Sequence, residues 1–186
     1  MYDAVRSLPK PTPSVAAHIR NPTHALQLVA MLAASSAAVW QQCRGEYTVS
    51  TDPALLDIEA VYGYLSHAYW CEGIPRETVE RAVRNSLCFS LLEGDKQVGF
   101  TRVVSDYTTF AYLCDVFVME SHQGKGLGTW MMRCVMQHPE LQGLRRWHLT
   151  TRDAHALYRK VGFVPLSKPE RHMEVFTYDM YKQHKT

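Results

Sequence analysis

What this chain of 186 residues lacks narrows its reading first. It has no run of the roughly 20 apolar residues that a membrane-spanning helix needs. Its alanine-rich, charge-free stretch, residues 25–40, is shorter, so no membrane partner is expected. Neither sign of charge dominates: 20 Lys and Arg face 18 Asp and Glu, for a net charge of +2. A nucleic-acid binder would show a basic stripe, so nucleic acid is not expected as a partner either. The five cysteines (Cys43, Cys71, Cys88, Cys114 and Cys134) are odd in number and scattered, without C-x-x-C spacing. That pattern suits free thiols in a reducing cytoplasm rather than a disulfide scaffold. The nine histidines show no H-E-x-x-H and no paired Cys/His spacing, so no metal is expected. There are no internal repeats.

Acidic residues are also scarce at the start of the chain. Asp3 and Glu46 bracket a stretch that carries Arg6, Lys10, Arg20 and Arg44. An acid-poor, basic start also fits a transit peptide, which sets an organellar address beside the cytoplasmic one. Pro9, Pro11 and Pro13 give an extended beginning. Residues 1–45 therefore read as an extension, partly disordered or carrying an ancillary helix, and residues 46–183 as one domain, the size expected of a single core. Every element read below lies after Glu46, so the extension is expected to be dispensable for chemistry.

Residues 47–50 read as a short edge strand. Residues 57–69 read as a helix, because Ile58, Val61, Tyr62, Leu65 and Tyr69 recur on one face. Pro75 suits the first turn of a second helix, which runs to about Ser86. Residues 87–92 and 97–104 read as strands joined by Gly94-Asp95. Residues 110–118 form a longer strand, apolar apart from Asp115. Residues 126–137 form a helix with Leu127, Met131, Cys134 and Val135 inward, closed by Pro139. Two further strands are read at 146–150 and 174–178.

Between the long strand and its helix lies Gln123-Gly124-Lys125-Gly126-Leu127-Gly128-Thr129. The first N–H groups of a helix have no partner within it, and the dipole adds positive charge at that end. Such an end binds anions, and glycines let a bulky pyrophosphate approach the backbone. The spacing excludes two nucleotide loops. It is G-x-G-x-G, not the dinucleotide G-x-G-x-x-G, and Lys125 is followed by Gly126 rather than by the Ser or Thr of a Walker loop. Farther on comes Ala154-His155-Ala156-Leu157-Tyr158-Arg159-Lys160-Val161-Gly162-Phe163. Asp153 is placed as its N-cap and Gly162 where a C-cap glycine belongs.

Gln123-x-x-Gly126-x-Gly128 resembles the Q/R-x-x-G-x-G/A signature of the GNAT superfamily of acyl-CoA-dependent N-acyltransferases. The second segment resembles that family's closing A-x-x-L-Y-x-K-x-G-F. The resemblance runs over about residues 46–181. It implies an α+β fold, a mixed, mostly antiparallel sheet flanked by helices. It also implies acetyl-CoA as co-substrate, with the backbone of Val116, Phe117 and Val118 along the pantetheine arm. Gln123, Gly124, Lys125, Gly126, Leu127, Gly128 and Thr129 would lie around the pyrophosphate, with Asp153 nearby. Tyr158 aligns with the family's tyrosine acid, which reprotonates the leaving thiolate; packing of the core or of the carrier is its other reading.

The attacking amine must lose a proton, since a lysine-like amine has a pKa of about 10.4, so a base or a water chain is needed. Asp115, the one charge in an apolar strand, is either that base or the partner of a buried polar group. Glu59, Glu72 and His155 are weaker candidates. Tyr62, Tyr64, Tyr69 and Trp70 supply either an aromatic acceptor wall, open to cation–π contact, or core packing. The reading is an N-acetyltransferase acting by direct attack of a small-molecule amine on the thioester, as monomer or homodimer. A protein N-acetyltransferase and a non-catalytic acyl-CoA sensor are the alternatives. The acceptor is not written in the sequence.

Overall fold

The computed structural model describes residues 38–181; the Pro-rich start and most of the alanine-rich run lie outside them. The elements in chain order are β1 (Gln41–Arg44), β2 (Tyr47–Ser50), α1 (Ile58–Leu65), α2 (Arg76–Arg84), β3 (Leu87–Glu93), β4 (Lys96–Ser105), β5 (Phe110–Val118), α3 (Leu127–Gln137), β6 (Arg146–His148) and α4 (His155–Arg159). Six strands form one sheet in sequence order. Every pairing is antiparallel except β5 with β6, which is parallel. Among the described residues no helix is long and apolar enough to cross a membrane.

Each face of the sheet carries its own core. Phe89, Leu91, Val103 and Leu113 pack with Leu127, Met131 and Val135 of α3 and with Tyr158 of α4. On the other face Phe100 and Phe117 pack with Val61 and Leu65 of α1 and with Val79 of α2. Asp57 caps α1, accepting from the N–H groups of Glu59 at 2.9 Å and Ala60 at 3.1 Å. The N–H of Asp57 in turn donates to Oε1 of the buried Gln97 at 2.8 Å, which fixes the start of α1 on β4.

Several elements depart from the sequence reading. The strand at 47–50 is not an edge: β1 pairs along its whole length. Ahead of β1, Trp40 sets its ring edge-on to Phe89 at 6.3 Å and to His138 at 5.4 Å. An element therefore precedes Glu46; Gln41–Arg44 is polar and exposed, so no alternation betrays it. The first helix stops at Leu65 because the chain turns, with Cys71 Sγ donating to the Leu65 carbonyl at 3.1 Å. Pro75 stands just ahead of α2 with extended backbone rather than inside its first turn. β6 spans three residues, not five. Residues 174–178 form no strand and are exposed; Val, Phe, Thr and Tyr favour a strand, but a strand exists only where a neighbour pairs with it.

Gly99 of β4 lies close against β5 and β3. A Cβ there would lie 2.8 Å from the Phe117 carbonyl oxygen and 3.0 Å from Leu91 Cδ2. Gly99→Ala is expected to cost about 1–3 kcal/mol through overpacking, read as a lower melting temperature. An unchanged melt would contradict this close approach.

Candidate active site

The site grows from an irregularity in β5. Its register against β4 runs Gly99↔Val118 and Phe100↔Phe117, then resumes at Arg102↔Cys114 and Val103↔Leu113. One extra β5 residue is thus accommodated, and Asp115 takes the left-handed conformation, φ 53°. A non-glycine residue there carries strain. This bulge turns the strand over: Leu113 belongs to the α3 core, whereas Phe117 belongs to the α1 core. Thr101, fully buried, donates its hydroxyl to the Cys114 carbonyl at 3.0 Å, so the bulge leaves that oxygen satisfied.

Asp115 is held by Arg102. The Nε of Arg102 donates to Asp115 Oδ2, and its Nη1 donates to Ser86 Oγ at 3.2 Å. The two side chains are 19% and 14% exposed. Burial works against the guanidinium's charge, but the groups around it, the Asp115 carboxylate foremost and Cys114 and Cys88 after it, together hold its pKa above the ordinary value. Of the two roles open to Asp115, the structure supplies a partner for one. Arg102 was invisible to sequence reasoning, because only the strand register brings it opposite the bulge.

After Tyr112, two residues ahead of the bulge's start, β5 loses its neighbour on the outer edge. Phe110, Ala111 and Tyr112 pair with Arg146, Trp147 and His148; no described strand lies beside residues 113–118 on that edge. Val116, Phe117 and Val118 thus sit on a strand with one free edge, and that edge leads into the glycine loop. Gln123 ties the loop to the strand, its Nε2 donating to the Val118 carbonyl at 2.9 Å. Gly124 and Gly126 have φ of 77° and 74°, and a Cβ on either would meet nothing within 4 Å. The N–H groups of Gly124, Lys125 and Gly126 find no acceptor among the described residues. Those of Leu127, Gly128 and Thr129 open α3, where none exists within the helix. Glycine at 128 admits the next layer: a Cβ would lie 3.1 Å from Leu157 Cδ1 of α4. These backbone donors, at the positive end of an eleven-residue helix, form an anion cradle.

Tyr158 of α4 is buried, 8% exposed. Its hydroxyl has no partner among the described residues, yet is not sealed from solvent. Burial first, then Tyr69 and Asp153, push its pKa up to about 12. The C-terminal end of α4 closes as read. Phe163 N–H donates to the Tyr158 carbonyl at 3.1 Å and Gly162 N–H to the Arg159 carbonyl at 3.2 Å, with Gly162 at φ 97°. Asp153, by contrast, is not the N-cap. It accepts from Arg152 Nη2 at 3.2 Å, and Thr151 Oγ1 accepts from the Ala154 N–H at 3.0 Å instead. The helix starts one residue later than expected, which puts Asp153 out of capping reach.

The aromatic segment divides between the two roles it was given. Tyr64 stacks flat on Phe117, 3.9 Å between centroids, and is packing. Tyr69 and Trp70 are 46% and 41% exposed. Arg152, unremarked in the sequence, lies 3.6 Å over the Tyr69 ring and occupies that face. Of the weaker base candidates, Glu59 pairs with Arg76, Glu72 is exposed, and His155 is exposed at the start of α4, on the same helix as Tyr158. No cluster of metal-ligating side chains occurs among the described residues. A cleft of about 920 Å³ near Arg145, Arg146, Lys168 and Arg171 shares no residue with the loop or with β5.

A mixed sheet whose fifth strand has one free edge, with a row of N–H groups unpartnered among the described residues at that strand's end, is the arrangement the site presents. The chain belongs to the acetyltransferase (GNAT) family, whose model matches residues 53–163. It is 37% identical over 140 residues to a Gibberella zeae protein whose name assigns it to the acetyltransferases; the match spans 63% of this chain and 78% of that one. A crystal structure of a Xanthomonas campestris pv. campestris protein assigned to the same family shares 48% identity with a TM-score of 0.71, covering 73% of this chain and 96% of that one. A Clostridium acetobutylicum acetyltransferase-type protein, crystallised with acetyl-CoA, shares the fold alone: 14% identity, TM-score 0.52, covering 70% of this chain and 94% of that one.

Asp115→Asn tests the ion pair. Leaving Arg102 buried without its carboxylate should cost about 3 kcal/mol, seen as a lower denaturation midpoint. A variant of unchanged stability that has lost turnover would instead assign Asp115 the base's role.

Proposed function

We propose that the protein transfers an acetyl group from acetyl-CoA to the amine of a small molecule. One observation carries this reading: the free edge of β5 runs directly into a cradle of unpartnered N–H groups. The carrier's amide-bearing pantetheine arm suits an open strand edge, which binds extended ligands as an added strand. The pyrophosphate suits the loop from Gln123 to Thr129. Neither contact needs a metal.

The chemistry then asks three things of this chain. The neutral amine nitrogen attacks the thioester carbonyl carbon, so the oxygen gains charge; backbone N–H groups near Val118 are the donors for it. The nitrogen sheds a proton as the C–N bond forms. The Asp115 carboxylate is already engaged by Arg102, so water carries this proton away. The C–S bond breaks and the thiolate leaves, to be met by Tyr158. With a pKa of about 12 the hydroxyl stays protonated throughout the working range. A thiol's reference value is about 8.5, so complete transfer from the phenol would run uphill by roughly 5 kcal/mol. Tyr158 therefore stabilises the thiolate by donating a hydrogen bond, and solvent supplies the proton. The acceptor approaches from the side of Trp70, whose exposed ring suits a small amine.

Release of free thiol from acetyl-CoA across an amine library tests the reading. The expected result is turnover with at least one amine; carrier binding without turnover on any amine would favour a sensor. On a good substrate, Tyr158→Phe should lower kcat by about 10²-fold, the low end for such a group, and leave carrier affinity nearly unchanged. Because the phenol titrates far above neutrality, the wild-type rate should show no downturn from this residue below about pH 10. Wild-type kcat in the Phe variant would return Tyr158 to packing.

A further inference from the structure

Two cations flank the loop on the side of β1 and β2, beyond what the backbone cradle supplies. Lys125 Nζ donates to the Tyr47 hydroxyl at 3.2 Å and lies 5.8 Å from the centre of that ring. The Tyr47 hydroxyl donates to Glu93 Oε1 at 2.9 Å. The other Glu93 oxygen meets His122 Nε2 at 3.2 Å. His122 is buried, and its Nδ1 is 2.8 Å from Ser121 Oγ. Lys125 is thus tethered through Tyr47 to a carboxylate on β3. The Tyr47 hydroxyl, and more weakly the fields of Glu93 and Glu46, raise the Lys125 pKa and keep it charged.

Arg44, the last residue of β1, joins it. Its Nη2 donates to the Lys125 carbonyl at 3.4 Å, and its guanidinium lies 5.8 Å from the centre of the Trp130 ring of α3. Both cations are exposed. Neither forms an ion pair with a described carboxylate. Glu93 is engaged by Tyr47 and His122 and acts on Lys125 only through its field, as Glu46 does, so Arg44 and Lys125 together present two cations with no direct partner among the described carboxylates.

Acetyl-CoA carries a third phosphate, the monoester on its ribose 3′ oxygen. A phosphate monoester bears about −1.5 to −2 charge near neutrality and suits a guanidinium fork beside an ammonium. Resting on the acetyl-CoA reading above, we propose that Arg44 and Lys125 hold the 3′-phosphate and make this chain select acetyl-CoA over its 3′-dephospho form. Tyr47 and Glu93 are positioning residues that act through Lys125.

Calorimetry of the full chain with CoA and with 3′-dephospho-CoA, at fixed low salt, tests this. The wild type should bind CoA at least roughly tenfold more tightly, the increment of one charged hydrogen bond. Arg44→Gln should bring the two affinities within about twofold by weakening CoA alone, and Arg44→Lys should restore part of the difference. Tyr47→Phe should also narrow the ratio, at unchanged melting temperature. Equal wild-type affinity for both ligands would overturn this inference and leave the acetyl-CoA reading intact. Equal weakening of both ligands by Arg44→Gln would likewise overturn it. No wild-type binding of either ligand would overturn the acetyl-CoA reading itself. Should Arg44→Gln fail to fold, Lys125→Gln provides the same comparison.

Discussion

The bulge in β5 is the constraint on which the site depends. One extra residue, Asp115, turns the strand over between Cys114 and Phe117. Without it, Phe117 would face α3, and the ring that stacks on Tyr64 would be missing from the other core. The strained backbone is held at three points: Thr101 on the Cys114 carbonyl, Arg102 on the Asp115 carboxylate, and Ser86 on Arg102. A left-handed aspartate costs of the order of 1–3 kcal/mol unless its surroundings determine it. Here they do, and the return is a strand that departs from β6 after Tyr112.

That departure ties fold to function. A paired β5 would have no backbone to offer. The parallel partner, β6, is three residues long, so the free edge opens beside the glycine loop. The loop is in turn fixed from two directions. Gln123 binds it to the end of β5, and Tyr47 binds Lys125 toward β2 and β3. The cradle is therefore anchored to a rigid sheet, which lowers the ordering cost that a mobile loop would pay on binding.

What was legible in the sequence is what local chemistry encodes. The bounds of β5 followed from its apolar run, and the inward side of α3 from helical spacing. Long-range pairing was not legible. β1 is polar and exposed, and is a strand only because β2 lies beside it. Arg102 is 13 positions from Asp115 and meets it through register alone. The exposed Arg152 covers Tyr69 because α1's outgoing segment and the start of α4 meet in space. Residues 174–178 carry strand-forming side chains without a strand to pair with, and composition alone cannot supply one.

The central claim is that the free edge of β5 and the glycine loop together receive the acyl carrier. Amide hydrogen exchange of the full chain, with and without acetyl-CoA, addresses those backbone groups directly. The account predicts that the free-edge amides within residues 113–118, and those of residues 124–129, gain protection on binding, while β2, β3 and the β4-facing amides of β5, already paired, change little. Binding that leaves the exchange of both segments unaltered would contradict it.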